Sequence, residues 1–331
     1  MAEDVEDPRE VAWHPRLAAA VIGHDAAVTR FSAAFSAGRP HHAWLLQGPE
    51  GIGKATLAYQ LAVRALASSS NEDQVQRWVK ARAHPDLIVL ERSFNDSKPK
   101  VLRSEITIDD ARRFIEFFNR TSGSGGWRIG LVDCADELNN EAANALLKLV
   151  EEPPAKCVLL LVCHNAGRLL RTLKSRCIKL PLHGLTEAET AEILRTLPLE
   201  TALGTEKIEL LARLSKGSPG QALSLAKSAG AVAFDEFQRS GRITEIDRVN
   251  ISTRFSGRAA AVRDYDVFMG LLLDWLATKA RAEVPSLKAN ALATLHAKLT
   301  GTAAVTAGYN LDRKVAVMEA LAQVEDALKA A

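Results

Sequence analysis

Apolar strands alternating with helices in the first half, and helices alone in the second, predict an α/β fold with a mostly parallel sheet followed by helical domains. Three observations carry this expectation. The runs AWLLQ (Ala43–Gln47), LIVL (Leu87–Leu90), IGLV (129–132) and CVLLLVC (Cys157–Cys163) are continuously apolar, as strands covered on both faces are. The first of them runs into a glycine-rich turn, GPEGIGK, which opens onto a helix-forming segment. After Leu182 the strand pattern stops and only helical periodicity remains.

Taken in order, the strand at 43–47 is followed by the glycine-rich loop and a helix over 55–67, then by the strand at 87–90. Residues 107–118 (TIDDARRFIEFF) read as a helix, with Asp109 and Asp110 near its N-terminus and Ala111, Phe114, Ile115 and Phe118 on one stripe. TSGSGG (121–126) is a turn or connector before the strand at 129–132. A helix over 140–151 takes Asn139 or Asn140 as its cap, carries Glu141 in its first turn and buries Ala145, Leu146 and Leu149; Pro153 and Pro154 stop it. Strands at 157–163 and 177–180 complete the α/β part. Helices at 186–197 and 206–215 form a small domain that ends at GSPGQAL (217–223). Residues 233–263 are weakly patterned and read as a linker. From Asp264 the chain is helical, with one stripe of Phe268, Leu271, Leu272, Trp275 and Leu276 and another of Leu311, Val315, Met318, Leu321 and Leu328. The expected division is a tail at 1–14, an α/β domain at 15–184, a small helical domain at 185–232, the linker at 233–263 and a helical domain at 264–331.

Bulk properties narrow the function. In 331 residues, 42 basic and 40 acidic side chains leave a formal charge of +2, so no global affinity for polyanions follows. The hydrophobic share of 47% is ample for a buried core. The N-terminus, MAEDVEDPRE, is acidic and unlike a signal or transit peptide, and the aliphatic run at 158–162 is too short to span a bilayer, which predicts a cytoplasmic protein. Cys134, Cys157, Cys163 and Cys177 form no C-x-x-C pair and lie in or beside apolar segments, so small buried residues are expected rather than a zinc site or disulfides.

The loop carries the chemical question. In the Gly-x4-Gly-Lys layout, glycines let backbone N–H groups converge on phosphate oxygens, the helix N-terminus adds positive potential, and the lysine reaches the outer phosphates. Gly48, Gly51, Gly53 and Lys54 fit this nucleotide-binding pattern. The next position, where a hydroxyl holds magnesium, is Ala55, and Thr56 lies about 100° further round the helix. A turn kept for packing after nucleotide binding was lost is favoured over productive ATP binding; weak, magnesium-poor binding stays open. The second acidic element, IGLVDCADEL (129–138), supplies Asp133 at the end of a strand but has Cys134 where a carboxylate would polarise water. Asp136 and Glu137 read as solvated loop charges.

The segments NALLKLVEEPP (144–154) and SRC (175–177), with HHAWLLQGPEGIGK, HPDL (84–87) and GSPGQAL, resemble the delta-prime subunits of bacterial DNA polymerase III clamp loaders, relatives of the AAA+ ATPases. The likeness spans residues 15–230. It implies a P-loop AAA+ domain, a small helical lid domain and an all-helical C-terminal collar. By the same resemblance Arg176, following Ser175, is an arginine finger acting in trans on ATP held by a neighbouring subunit, a role suited to a permanently charged group with several donors. A surface patch with Arg168, Arg171, Lys174 and Lys179 is the competing reading of Arg176, and contacts of those cations with DNA phosphates are a weaker expectation. Gly48, Gly51, Gly53, Lys54, Thr56 and Asp133 would then be a vestigial nucleotide site. Residues 65–83 lack the four cysteines of the zinc module many relatives carry, so no zinc is expected; Cys163 stands where a polar sensor would, with His164 and Asn165 blurring the register, and Gly220 replaces the second sensor's arginine.

The resemblance thus implies a non-hydrolysing stator of a pentameric loader, partnered by gamma/tau ATPase subunits and a delta subunit and, through them, by the sliding clamp and primer-template DNA. ATP and magnesium belong to adjacent subunits. Two alternatives remain: an AAA+ ATPase with an unusual loop, and a switch that binds ATP without hydrolysing it. No paired metal-binding carboxylates for nucleotidyl transfer are evident.

Overall fold

The computed structural model describes residues 11–38, 40–68, 70–95, 101–123, 125–198, 204–226, 228–240, 244–256 and 259–329. Most of the expected 1–14 tail and part of TSGSGG lie outside these residues. Two compact units are present, 1–221 and 222–331.

The first unit is built on five parallel strands, β1 (Ala43–Gln47), β2 (Leu87–Leu90), β3 (Arg128–Val132), β4 (Cys157–Cys163) and β5 (Ile178–Pro181), in the order β2-β3-β4-β1-β5. In register, Ala43 lies beside Leu159, Trp44 beside Ile178, and Leu87 beside Ile129. Its helices are α1 (Asp25–Ser36), α2 (Lys54–Ala67), α3 (Glu72–Lys80), α4 (Ile108–Phe118), α5 (Asn140–Glu151), α6 (Arg171–Ser175), α7 (Glu187–Thr196) and α8 (Thr205–Leu214).

The period-2 alternation of a strand divides the core in two. Trp44 and Leu46 of β1, with Val158, Leu160 and Val162 of β4, meet Phe31 of α1, Leu57 and Leu61 of α2 and Val75 of α3. Ala43 and Leu45, with Leu159, Leu161 and Cys163, meet Phe114 and Phe118 of α4, Leu146 and Leu149 of α5 and Leu173 of α6. Both faces are thus covered, which is why these strands are apolar throughout. Gly130 in β3 is set by the second layer: a Cβ there would lie 2.5 Å from the ring of Phe114 and 2.8 Å from that of Phe118.

Local capping follows the sequence closely. Thr107 and Asp110 form a capping box at the start of α4, and Asn139 caps α5 by accepting from the Ala142 N–H at 2.8 Å. β5 starts at Ile178, one residue later than expected, because Cys177 closes the turn of α6 with its thiol on the Leu173 carbonyl, 3.2 Å away.

The boundary between units falls inside α9 (Pro219–Ala226). The second unit continues with α10 (Ala229–Arg239), α11 (Glu245–Thr253), α12 (Ala259–Ala282), α13 (Leu287–Gly308) and α14 (Arg313–Lys329). The expected linker at 233–263 is therefore largely helical where described: Phe234, Phe237, Ile251 and Phe255 are buried, and Thr244 and Asp247 form a capping box for α11. In α12 the expected stripe is present, with Phe268, Leu271, Leu272 and Leu276 buried and Trp275 packed edge-on against Phe237. The stripe expected near the C-terminus holds only in part, with Leu321 buried and Leu328 partly so. Leu311, Val315 and Met318 are exposed, and the buried face is Ala316, Val317, Ala320, Leu321 and Val324. Two alanines on that face hid the rest from a reading based on large apolar residues.

Candidate functional site

The carboxyl ends of β1, β3 and β4 converge on one region, where parallel α/β sheets place their ligand crevices. Gly48 follows β1, Asp133 follows β3 and His164 follows β4. The glycine-rich loop leads into the N-terminus of α2, as a phosphate cradle requires, and its lysine is turned onto the loop's own carbonyls. The ammonium of Lys54, buried at 3% exposure, donates to the carbonyl of Gly48 at 2.7 Å and also to that of Pro49. Burial lowers its pKa, opposed by Cys134, Asp136, Cys163 and Glu50.

A second segment lies across the loop. The Ser218 hydroxyl donates to the Glu50 carbonyl at 3.0 Å, and the Gly220 N–H donates to the Gly51 carbonyl at 2.9 Å. Gly51 has φ +75°, and a Cβ on it would sit 2.4 Å from the Ser218 Oγ. A Cβ on Gly220 would sit 2.9 Å from the Gly51 Cα. Backbone therefore meets backbone where the resemblance implies an arginine, and a side chain at 220 would force the loop backbone to shift. Thr56 is partly buried, one step along α2 from Ala55. His24, unnoticed in the sequence, adds a further tie by bonding the Ile52 carbonyl through Nε2 at 2.9 Å.

Around the loop the polar groups are turned inward. Burial, reinforced by Glu91 and Glu137, raises the Asp133 pKa to about 6. Cys134 takes a left-handed backbone, φ 62°, with its thiol 3.8 Å from Asp133 Oδ1 and 3.9 Å from His164 Nδ1. Burial drives that thiol upward and lifts Cys163 to about 12, so neither is a thiolate near neutral pH. His164 is pushed down by burial and then by the Lys54 charge.

Asp136 corrects the reading of a solvated charge. Its carboxylate accepts the backbone N–H groups of His164 and Asn165, both at 2.9 Å, clamping the end of β4 to the loop after β3. Burial works against ionisation there, but those bonds hold the pKa below the usual carboxylate range. Glu137 pairs with Arg92 at 2.9 Å. A side chain of this kind is recognisable only once the strand order is known.

Away from this region lies Arg176, the C-cap of α6. Its Nη1 donates to the Thr172 carbonyl at 3.0 Å and its Nη2 pairs with Glu151 Oε1 at 2.8 Å. The side chain is 40% exposed. The Ser175 hydroxyl donates to Thr172 as well, at 3.0 Å. EEPP and SRC, the two most specific motifs of the sequence, thus meet in one ion pair. Of the neighbouring cations, Lys174 donates to the Ala166 carbonyl at 3.4 Å. Among the described residues no group of three or more His, Cys, Asp or Glu is arranged to hold a metal ion, and no helix is long and apolar enough to cross a membrane.

The five-stranded parallel sheet and the glycine-rich loop between β1 and α2 have the layout of a P-loop α/β domain. Residues 23–186, just under half of the chain, match the family described as "DNA polymerase III, delta subunit". It is 40% identical to DNA polymerase III subunit delta' of Pseudomonas aeruginosa, over 54% of this chain and 53% of that protein. Identity to subunit delta' of Escherichia coli K12 is 34%, over 58% and 57% of the two chains. Identity to DNA polymerase III subunit tau of the same organism is 28%, over 66% of this chain and 33% of tau. The matched region spans little more than half the length of the delta' relatives.

Proposed function

We propose that this chain is a delta-prime-type clamp-loader subunit that does not hydrolyse ATP. It acts as the stator of a pentameric loader, packs beside gamma/tau ATPase subunits and a delta subunit, and presents Arg176 to ATP and magnesium held by a neighbour, so helping to load the sliding clamp onto primed DNA. The observation that carries this reading is the contrast between two cations. Lys54 is buried and satisfied by its own loop at Gly48, whereas Arg176 is held at the surface with donors to spare.

Three further features support it. Ala55 offers no oxygen to magnesium, and Cys134 stands where a carboxylate would orient water. Gly220 bonds Gly51 in place of carrying an arginine toward phosphate. In the second unit, Tyr309, Leu311, Val315 and Met318 are 78%, 48%, 45% and 39% exposed, an apolar surface suited to packing in a helical collar. No resident cofactor and no zinc enter this reading.

The test is ATP hydrolysis by the reconstituted loader in the presence of primed DNA. Arg176→Ala lowers turnover while leaving assembly intact; unchanged turnover would remove the finger role. A nucleotide-responsive switch is the second reading, favoured by the retained glycine pattern with Gly51 in its left-handed conformation. A fluorescent ATP analogue that binds the isolated chain without turnover would favour it.

A further inference from the structure

We propose that Glu151 is a positioning residue that aims the Arg176 guanidinium; this rests on the reading of Arg176 as a group acting on a neighbour's ATP. A guanidinium carries five N–H donors in a planar fork. Among the described residues Arg176 spends two of them, one on Glu151 Oε1 and one on the Thr172 carbonyl. The remaining donors are available on a side chain that is 40% exposed. The two contacts can therefore persist while the group engages an oxyanion, so Glu151 guides the arginine without having to be displaced.

The two anchors come from separate elements. Glu151 is the last residue of α5, and Thr172 lies in α6. Pro153 and Pro154 end α5 directly after the glutamates, fixing where the carboxylate stands. A carboxylate at a helix C-terminus faces the negative end of the helix dipole and is poorly placed on its own. The guanidinium neutralises it and the nearby α6 carbonyl together. An ion pair 40% and 45% exposed adds little to folding, so its consequence is geometric. Arginine has many rotamers, and restraint at two points removes much of the ordering cost that reaching a phosphate would otherwise carry.

The experiment uses the full chain in the loader reconstituted with its ATPase and delta partners, measuring kcat and KM for ATP separately on primed DNA. Glu151→Ala lowers kcat roughly 10-fold through loss of orientation, with KM, assembly and the melting temperature of the chain unchanged. Glu151→Gln, which keeps an acceptor oxygen in place, recovers most of kcat. Combining Glu151→Ala with Arg176→Ala gives no further loss beyond Arg176→Ala. If Arg176→Ala lowers kcat but Glu151→Ala leaves it unchanged or raises it, the positioning role fails and the finger stands. A change in KM or assembly instead of kcat overturns the positioning role as well. If Arg176→Ala itself has no effect, the finger reading fails and this inference with it.

Discussion

The backbone N–H of Gly220 donates to the carbonyl of Gly51 at 2.9 Å, so a segment about 170 residues downstream rests directly on the phosphate loop. The contact explains a substitution that the sequence could only note. Glycine stands at 220 because the two backbones touch.

Replacing it by arginine should fail to rebuild a nucleotide site. The new Cβ would meet the Gly51 Cα at 2.9 Å, an overpacked contact that costs about 1–3 kcal/mol. Urea unfolding of Gly220→Arg shows a lower midpoint, and titration with ATP shows no gain in affinity. Unchanged stability together with tight ATP binding would contradict the closed loop.

Asp133 and Asp136, three residues apart, should have opposite pH signatures. Asp133 holds its proton to about pH 6 in the folded chain, against about 3.9 when unfolded. Its raised pKa therefore subtracts stability as pH rises from about 4 through 6, on the order of 3 kcal/mol once ionised. Asp133→Asn is more stable than the parent at pH 8, and the advantage vanishes near pH 4. For Asp136 the folded pKa is depressed, so its stabilisation is present above its unfolded pKa and is lost as pH falls through the folded value. Asp136→Ala costs about 2–3 kcal/mol at pH 7, since the His164 and Asn165 N–H groups lose their acceptor, and the difference narrows in acid. Melting curves across this range decide both.

Gly130→Ala tests the packing of α4 on the sheet. With the Phe114 and Phe118 rings 2.5 and 2.8 Å from the added carbon, about 1–3 kcal/mol should be lost. Denaturant titration at neutral pH measures it, and a neutral result would mean that the two rings move aside freely.

The exposed apolar residues of the second unit make an assembly prediction. Changing Leu311, Val315 and Met318 together to serine should leave the helical content and melting temperature of the isolated chain nearly unaltered, because surface positions outside the core contribute little to folding. Sedimentation of the mixed loader should show weaker incorporation. Full incorporation would exclude this surface from the collar.

What the sequence revealed follows from how large its signals are. β1 and β4 were legible because strands covered on both faces are apolar throughout, as 43–46 and 157–163 are. The helices at 107–118 and 140–151 declared themselves through acidic first turns, apolar stripes and prolines. The α14 face was legible only in part because Ala316 and Ala320 do the packing, while Val315 and Met318 point outward. The segment 233–263 reads as a linker because its large buried residues form only two short pairs, Phe234 with Phe237 and Ile251 with Phe255, too far apart to draw one stripe. The site divided along similar lines. The loop and Arg176 were visible as motifs; the Ser218 and Gly220 contacts, the Asp136 clamp and the Glu151 pair are long-range, and no spacing encodes them.

The most direct measurement of the central claim is magnesium-dependent phosphate release by the purified chain alone, beside its Lys54→Ala variant. With Lys54 spent on its own loop carbonyls, the two should be indistinguishable from background. Sustained turnover by the parent chain, abolished in Lys54→Ala, would contradict the account.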